Sequence, residues 1–246
     1  MASSVKNKLI IALDVDALER ARELVGLLKS DVGMFKIGKQ LFTRYGPQAI
    51  DMVHTLGGEV FLDLKFHDIP NTVAKAAEAA MMHGVFMFNI HASGGFEMMK
   101  QAAAAVQAKA EALNQHRPLV LAVTVLTSLS SADLSALGIN AAVPEQVVRL
   151  AGLAKTAGVD GVVASPHEIE MIKKECGHDF LVVTPGVRPS TSKADDQKRV
   201  LTPGEAIRNG ADYIVVGRPV TGAPDPLKAV QDIIKEIEEQ TTDERL

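Results

Sequence analysis

Short apolar runs recur along the chain, and most of them end on a polar or charged residue. Leu9-Ile10-Ile11-Ala12-Leu13 runs into Asp14, Met34-Phe35-Lys36-Ile37-Gly38 carries a lysine inside it, and Val60-Phe61-Leu62 leads into Asp63-Leu64-Lys65-Phe66. Val85 to Ile90 ends at His91, Leu119 to Val125 is followed by Leu126-Thr127-Ser128, and Gly161 to Ala164 ends at Ser165. Phe180 to Val183 leads to Thr184-Pro185-Gly186-Val187-Arg188, and Tyr213 to Val216 leads to Gly217-Arg218-Pro219. Runs of this length without strict alternation predict strands buried on both faces, as in a parallel sheet.

Between these runs the period changes to that of a helix. Helices are predicted over 17–29, 41–56, 71–83, 95–113, 144–157, 166–175, 202–209 and 225–239, and 130–140 reads as loop with a short helix. Pro70 suits a first helical turn, Gly57-Gly58 suits a stop, and Thr202 with Pro203 suits an N-terminal cap. Alternation of strand and helix eight times over predicts an α/β protein, a single (β/α)8 barrel filling residues 1–246.

Composition narrows the partners. The chain has 246 residues, a net charge of −4, no Trp and two Tyr. No basic run or stacking platform for nucleic acid is apparent. One cysteine, Cys176, allows no internal disulfide. The polar start, Met1 to Lys8, lacks the apolar core of a signal peptide, and no apolar run approaches a membrane span. A soluble, cytoplasmic setting is expected.

The polar residues at the strand ends carry the chemistry. They are Asp14, Lys36, Asp63, Lys65, His91, Thr127, Ser165, Arg188 and Arg218, and the C-terminal ends of barrel strands are where such folds place their sites. Asp63 and Lys65, two apart in a strand, are expected on one face, with Asp68 just beyond. A structural salt bridge at the barrel rim would use the same residues. Gly186 with Arg188, and Gly217 with Arg218, follow the seventh and eighth strands, where phosphate is often held. Glycine lets backbone N–H groups approach an anion, and guanidinium offers a forked donor. Two solvated turns would look alike, yet their joint location favours a phosphorylated ligand. No metal-ligand spacing is convincing, His91 reads better as a packing histidine than as a ligand, and no dinucleotide fingerprint follows a strand.

The stretch Asp63-Leu-Lys65-Phe-His-Asp68-Ile-Pro-Asn-Thr72 resembles the signature of the orotidine 5′-phosphate decarboxylase family. The blocks Ala12-Leu13-Asp14, Phe35-Lys36-Ile37-Gly38-Lys39, His91-Ala-Ser-Gly-Gly95, Val123-Thr-Val-Leu-Thr127-Ser128, Thr184-Pro-Gly-Val-Arg188-Pro and Val216-Gly217-Arg218-Pro-Val-Thr221 resemble that family in its order, in the stand-alone bacterial form. The resemblance implies decarboxylation of orotidine 5′-monophosphate to UMP without a cofactor or metal. It implies Lys65 as proton donor to ring carbon C6, between Asp63 and Asp68. It also implies a homodimer in which Asp68 and Thr72 reach the neighbouring subunit's site.

By the same resemblance, Asp14 and Lys36 hold the ribose with Thr72, and Thr127 and Ser128 face the pyrimidine. Arg188, Gln197, Gly217 and Arg218 form the phosphate end, Gln197 from a loop over 190–198 expected to move. Lys39 reads as a supporting or surface residue. Two other readings use the same barrel: a Mg²⁺-dependent sugar-phosphate lyase or decarboxylase, and a silent phosphate-ligand binding protein. Intact Asp63, Lys65 and Asp68 speak against the latter.

Overall fold

A computed structural model describes residues 5–189 and 201–242. Eight parallel strands close into a barrel in sequence order. They are β1 (Leu9–Ala12), β2 (Met34–Gly38), β3 (Val60–Phe66), β4 (Met87–His91), β5 (Leu119–Val123), β6 (Gly161–Val163), β7 (Leu181–Pro185) and β8 (Tyr213–Val216). Helices separate them throughout, so the expected (β/α)8 fold is the observed one. β1 and β2 are buried along their whole length, as the unbroken apolar runs require.

The backbone groups into two compact units, Met1–Leu64 with Thr184–Leu246, and Lys65–Val183. In the first, β2 lies between β1 and β3, with Ala12 opposite Lys36 and Gly38 opposite Asp63. β8 pairs with the other side of β1, Leu9 opposite Ile214. The helix Pro226–Thr242 packs Val230, Ile233 and Ile237, all fully buried, at the spacing of one helical face. In the second unit, β4, β5, β6 and β7 pair in that order. There the helices Pro70–Met82 and Phe96–Leu113 pack on each other, and both bury alanines, Ala77 and Ala80 in the one and Ala102 and Ala103 in the other.

Several boundaries differ from the sequence expectation. The helix expected over 41–56 is two, Lys39–Tyr45 and Gln48–Thr55. Pro47 disfavours helical backbone at the residue before it, and Gly46 takes φ 57° there. The helix expected over 166–175 begins as a 3-10 turn, Pro166–Glu168, before Ile169–Cys176. A short helix, Arg218–Thr221, follows β8 where only a loop was expected.

Candidate active site

Lys36 is the centre of charge in the first unit. It stands between the buried apolar residues Phe35 and Ile37 in β2, and it is only 8% exposed. Its Nζ lies 3.1 Å from Asp14 Oδ1 and 3.2 Å from Asp63 Oδ2. Asp63 is as deeply buried as the lysine, whereas the Asp14 side chain is half exposed. Two carboxylates around one ammonium offset the loss of water that would otherwise make this burial prohibitive. The position of Gly38 makes room for them. A Cβ there would stand 2.9 Å from both Asp14 Oδ1 and Lys36 Nζ, so any side chain would push on the ion pair.

These charges line one end of a cavity of about 540 Å³ that also touches Ala12, Pro185, Gly186, Val187, Arg188, Val215, Gly217, Arg218, Pro219 and Thr221. That volume is ordinary for a small-molecule site. Residues after β7 and β8, Arg188 and Arg218 among them, therefore line the same space as Asp14, Lys36 and Asp63 at the ends of β1, β2 and β3. Arg188 is partly buried and Arg218 is exposed. The backbone N–H of Arg188 donates to Leu201 O at 3.2 Å. Gln197 and the loop over 190–198 lie outside the described residues.

In the second unit, Lys65 stands in β3 with φ 55°. A non-glycine residue in that left-handed region costs on the order of 1–3 kcal/mol and is held only where the surroundings impose it. The alternation that puts residues two apart on one face assumes extended backbone at both, so it does not carry through Lys65. The Lys65 N–H donates to Asn89 Oδ1 on β4 at 2.8 Å. Asp68 is exposed, and its Oδ1 accepts from the N–H of Ile69 at 2.6 Å just before the helix Pro70–Met82. Thr72, in the first turn of that helix, is exposed, as are Thr127 and Ser128 after β5. His91 packs its ring against His67, with centroids 5.4 Å apart. Lys39 is exposed, as a surface reading of it requires.

Sequence reasoning placed Lys36 with the ribose and did not foresee its contact with Asp63. A lysine inside an apolar strand was the available signal for a buried pair. It also passed over Asn89, whose signal was one amide in the run from Val85 to Ile90. Pro185, Val187, Val215 and Pro219 line the cavity with apolar surface, which leaves no chemical mark in a sequence.

Charged strand ends around one cavity on a parallel eight-stranded barrel define the class, a (β/α)8 enzyme with a small-molecule site at the C-terminal ends of its strands. Residues 7–233 match the model of the orotidine 5′-phosphate decarboxylase / HUMPS family, and the chain belongs to that family. An orotidine 5′-phosphate decarboxylase of Geotalea daltonii is 54% identical over 230 residues, covering 94% of this chain and 95% of the relative. One of Trichlorobacter lovleyi is 56% identical over 232 residues, with 94% and 95% covered. The crystal structure of orotidine 5′-phosphate decarboxylase from Lactobacillus acidophilus superposes with a TM-score of 0.82 at 40% identity, covering 93% of this chain and 98% of that one. Among the described residues, no helix is long and apolar enough to cross a membrane, and no group of three or more His, Cys, Asp or Glu side chains is set to hold a metal ion.

Proposed function

We propose that the protein decarboxylates orotidine 5′-monophosphate to UMP and CO₂, the closing step of pyrimidine nucleotide synthesis, and does so without a cofactor. The observation that carries this reading is the cavity whose walls hold the Asp14–Lys36–Asp63 charges together with Arg188 and Arg218. Guanidinium forks and the backbone at Gly186 and Gly217 suit a phosphate, and Asp14 and Lys36 suit ribose hydroxyls. The relatives' names supply the substrate. The residues 1–246 act in this reading as one catalytic domain, and a soluble nucleotide substrate fits the cytoplasmic setting expected from the sequence.

Breaking the bond between C6 and the carboxylate releases CO₂ and leaves its electron pair on C6, which has no adjacent carbonyl to accept it. Lys65 stabilises that pair and transfers a proton to it, giving UMP and a neutral amine that regains its proton from water. Asp63 and Asp68 flank the ammonium, and Thr127 and Ser128 face the pyrimidine ring. Gln197 bridges phosphate and base. Asp68 and Thr72 serve the neighbouring subunit's site in a homodimer. Their exposure supports this, as does that of Ile69, a large apolar side chain 67% exposed beside them.

The test is the fall in ultraviolet absorbance of orotidine 5′-monophosphate, with EDTA present, for the wild type and Lys65→Ala. Turnover by the wild type that falls by about four or more orders of magnitude in the variant is the expected result, since both charge stabilisation and proton transfer are lost. No turnover by the wild type, or turnover only with Mg²⁺ and a sugar phosphate, would overturn the reading and move the chain to the metal-dependent lyases.

A further inference from the structure

The proposed reaction depends on where the Lys65 ammonium points, and the backbone beneath it is unusual. Among the described residues only Lys65 and Asn114 combine a side chain with positive φ. Asn114 closes the helix Phe96–Leu113 in the ordinary left-handed manner of a helix end. No helix end accounts for Lys65, which lies within β3 at φ 55°.

We propose that Asn89 is the positioning residue of Lys65: its carboxamide oxygen holds the left-handed backbone and so aims the ammonium. The Lys65 N–H has Asn89 Oδ1 as its acceptor at 2.8 Å. A backbone N–H can only donate, so the oxygen of the carboxamide, not its nitrogen, faces Lys65. Asn89 is 1% exposed, and Phe88 and Ile90 beside it are fully buried. Its backbone is registered in the sheet, opposite Leu121 of β5, so the acceptor is mounted on a rigid element. A polar side chain this deep in an apolar strand is costly unless it meets a specific partner. Loss of the oxygen leaves that N–H without this acceptor and removes one restraint that keeps Lys65 out of extended backbone. In extended backbone the side chain would follow the ordinary alternation of the strand, and the ammonium would start from a different direction.

This inference rests on Lys65 being the proton donor, so its test carries one readout that does not depend on turnover. The variants are Asn89→Leu, close in size without an acceptor, Asn89→Ala, and Asn89→Asp, which keeps the oxygen. The first readout is hydrogen exchange of the Lys65 backbone amide by NMR, and the second is kcat and KM with orotidine 5′-monophosphate. In Asn89→Leu and Asn89→Ala the Lys65 amide is expected to exchange at least about tenfold faster, with the amides of β5 unchanged. In the same variants kcat falls about 10- to 100-fold while KM stays within about threefold, the signature of misaimed chemistry rather than lost binding. Asn89→Asp keeps a slower Lys65 amide than Asn89→Leu.

Unchanged Lys65 exchange in Asn89→Leu and Asn89→Ala would overturn the proposal, as would a wild-type kcat in both. If Asn89→Leu fails to fold, the comparison of Asn89→Ala with Asn89→Asp decides in the same way. A wild type that never turns over orotidine 5′-monophosphate sinks the proposed function, and the exchange readout then judges the backbone restraint separately.

Discussion

Lys36 receives two carboxylates at hydrogen-bonding distance, and its side chain and that of Asp63 are each about nine-tenths buried. Removing the ammonium leaves Asp63 buried beside Asp14 with like charge. Lys36→Ala is therefore expected to lose about 3–5 kcal/mol of unfolding free energy, read from urea titration at constant m, in addition to activity. Glu168 poses the reverse problem. It is 7% exposed at the end of the turn after β6, and burial pushes its carboxyl above the usual range, partly opposed by a hydrogen bond from Ser165. The folded state thus holds the proton more tightly than the unfolded chain, and its contribution to stability declines as pH rises from the ordinary value of 4.5 through the raised one. Glu168→Gln removes that decline. The stability of the variant relative to the wild type is expected to grow over the same pH interval, as thermal midpoints at successive pH values would show. Burial likewise raises the thiol of Cys176, which keeps it a packing residue.

The elements were largely legible because each strand is a short apolar run and each helix has its own stop. Thr202 illustrates this: the expected cap is present, with its hydroxyl accepting from Glu205 N at 3.2 Å and Glu205 returning a bond to the Thr202 N–H at 2.8 Å. Thr202→Ala is expected to cost about 1 kcal/mol, measured as a lowered denaturation midpoint. The break at Gly46-Pro47 was missed although its signal stands in the sequence, since proline at that place argues against the single helix expected over 41–56. The backbone at Lys65 was not. Asp-Leu-Lys-Phe reads as plain alternation, and the bond that bends it comes from a residue 24 positions on. The Lys36–Asp63 pair was hidden for a similar reason. Sequence shows which residues end a strand, whereas the register that sets Gly38 opposite Asp63 decides which ends touch. The arginine segments were legible in location: Arg188 and Arg218 follow β7 and β8 as expected, and both line the one cavity.

For the whole molecule, the proposed dimer has a direct consequence. If Asp68 serves the neighbouring subunit, Lys65→Ala and Asp68→Asn fall on the same site of a mixed dimer and leave the other site whole. Equal mixing and exchange of the two variants then yields half mixed dimers, each with one intact site, so about a quarter of wild-type activity should return. Activity that stays at the level of the separate variants would place Asp68 in its own subunit's site. The pairing of β1 with β8 sets a different constraint, one of time. During synthesis β1 is made early, yet its partner Tyr213–Val216 follows some two hundred residues later. At about 5–20 residues per second that is roughly 10–40 s in which one side of the first strand has no sheet to join. The ribosome thus releases most of this barrel before its first strand can be paired on both sides, and the nascent chain must stay out of trouble with an open edge for that interval.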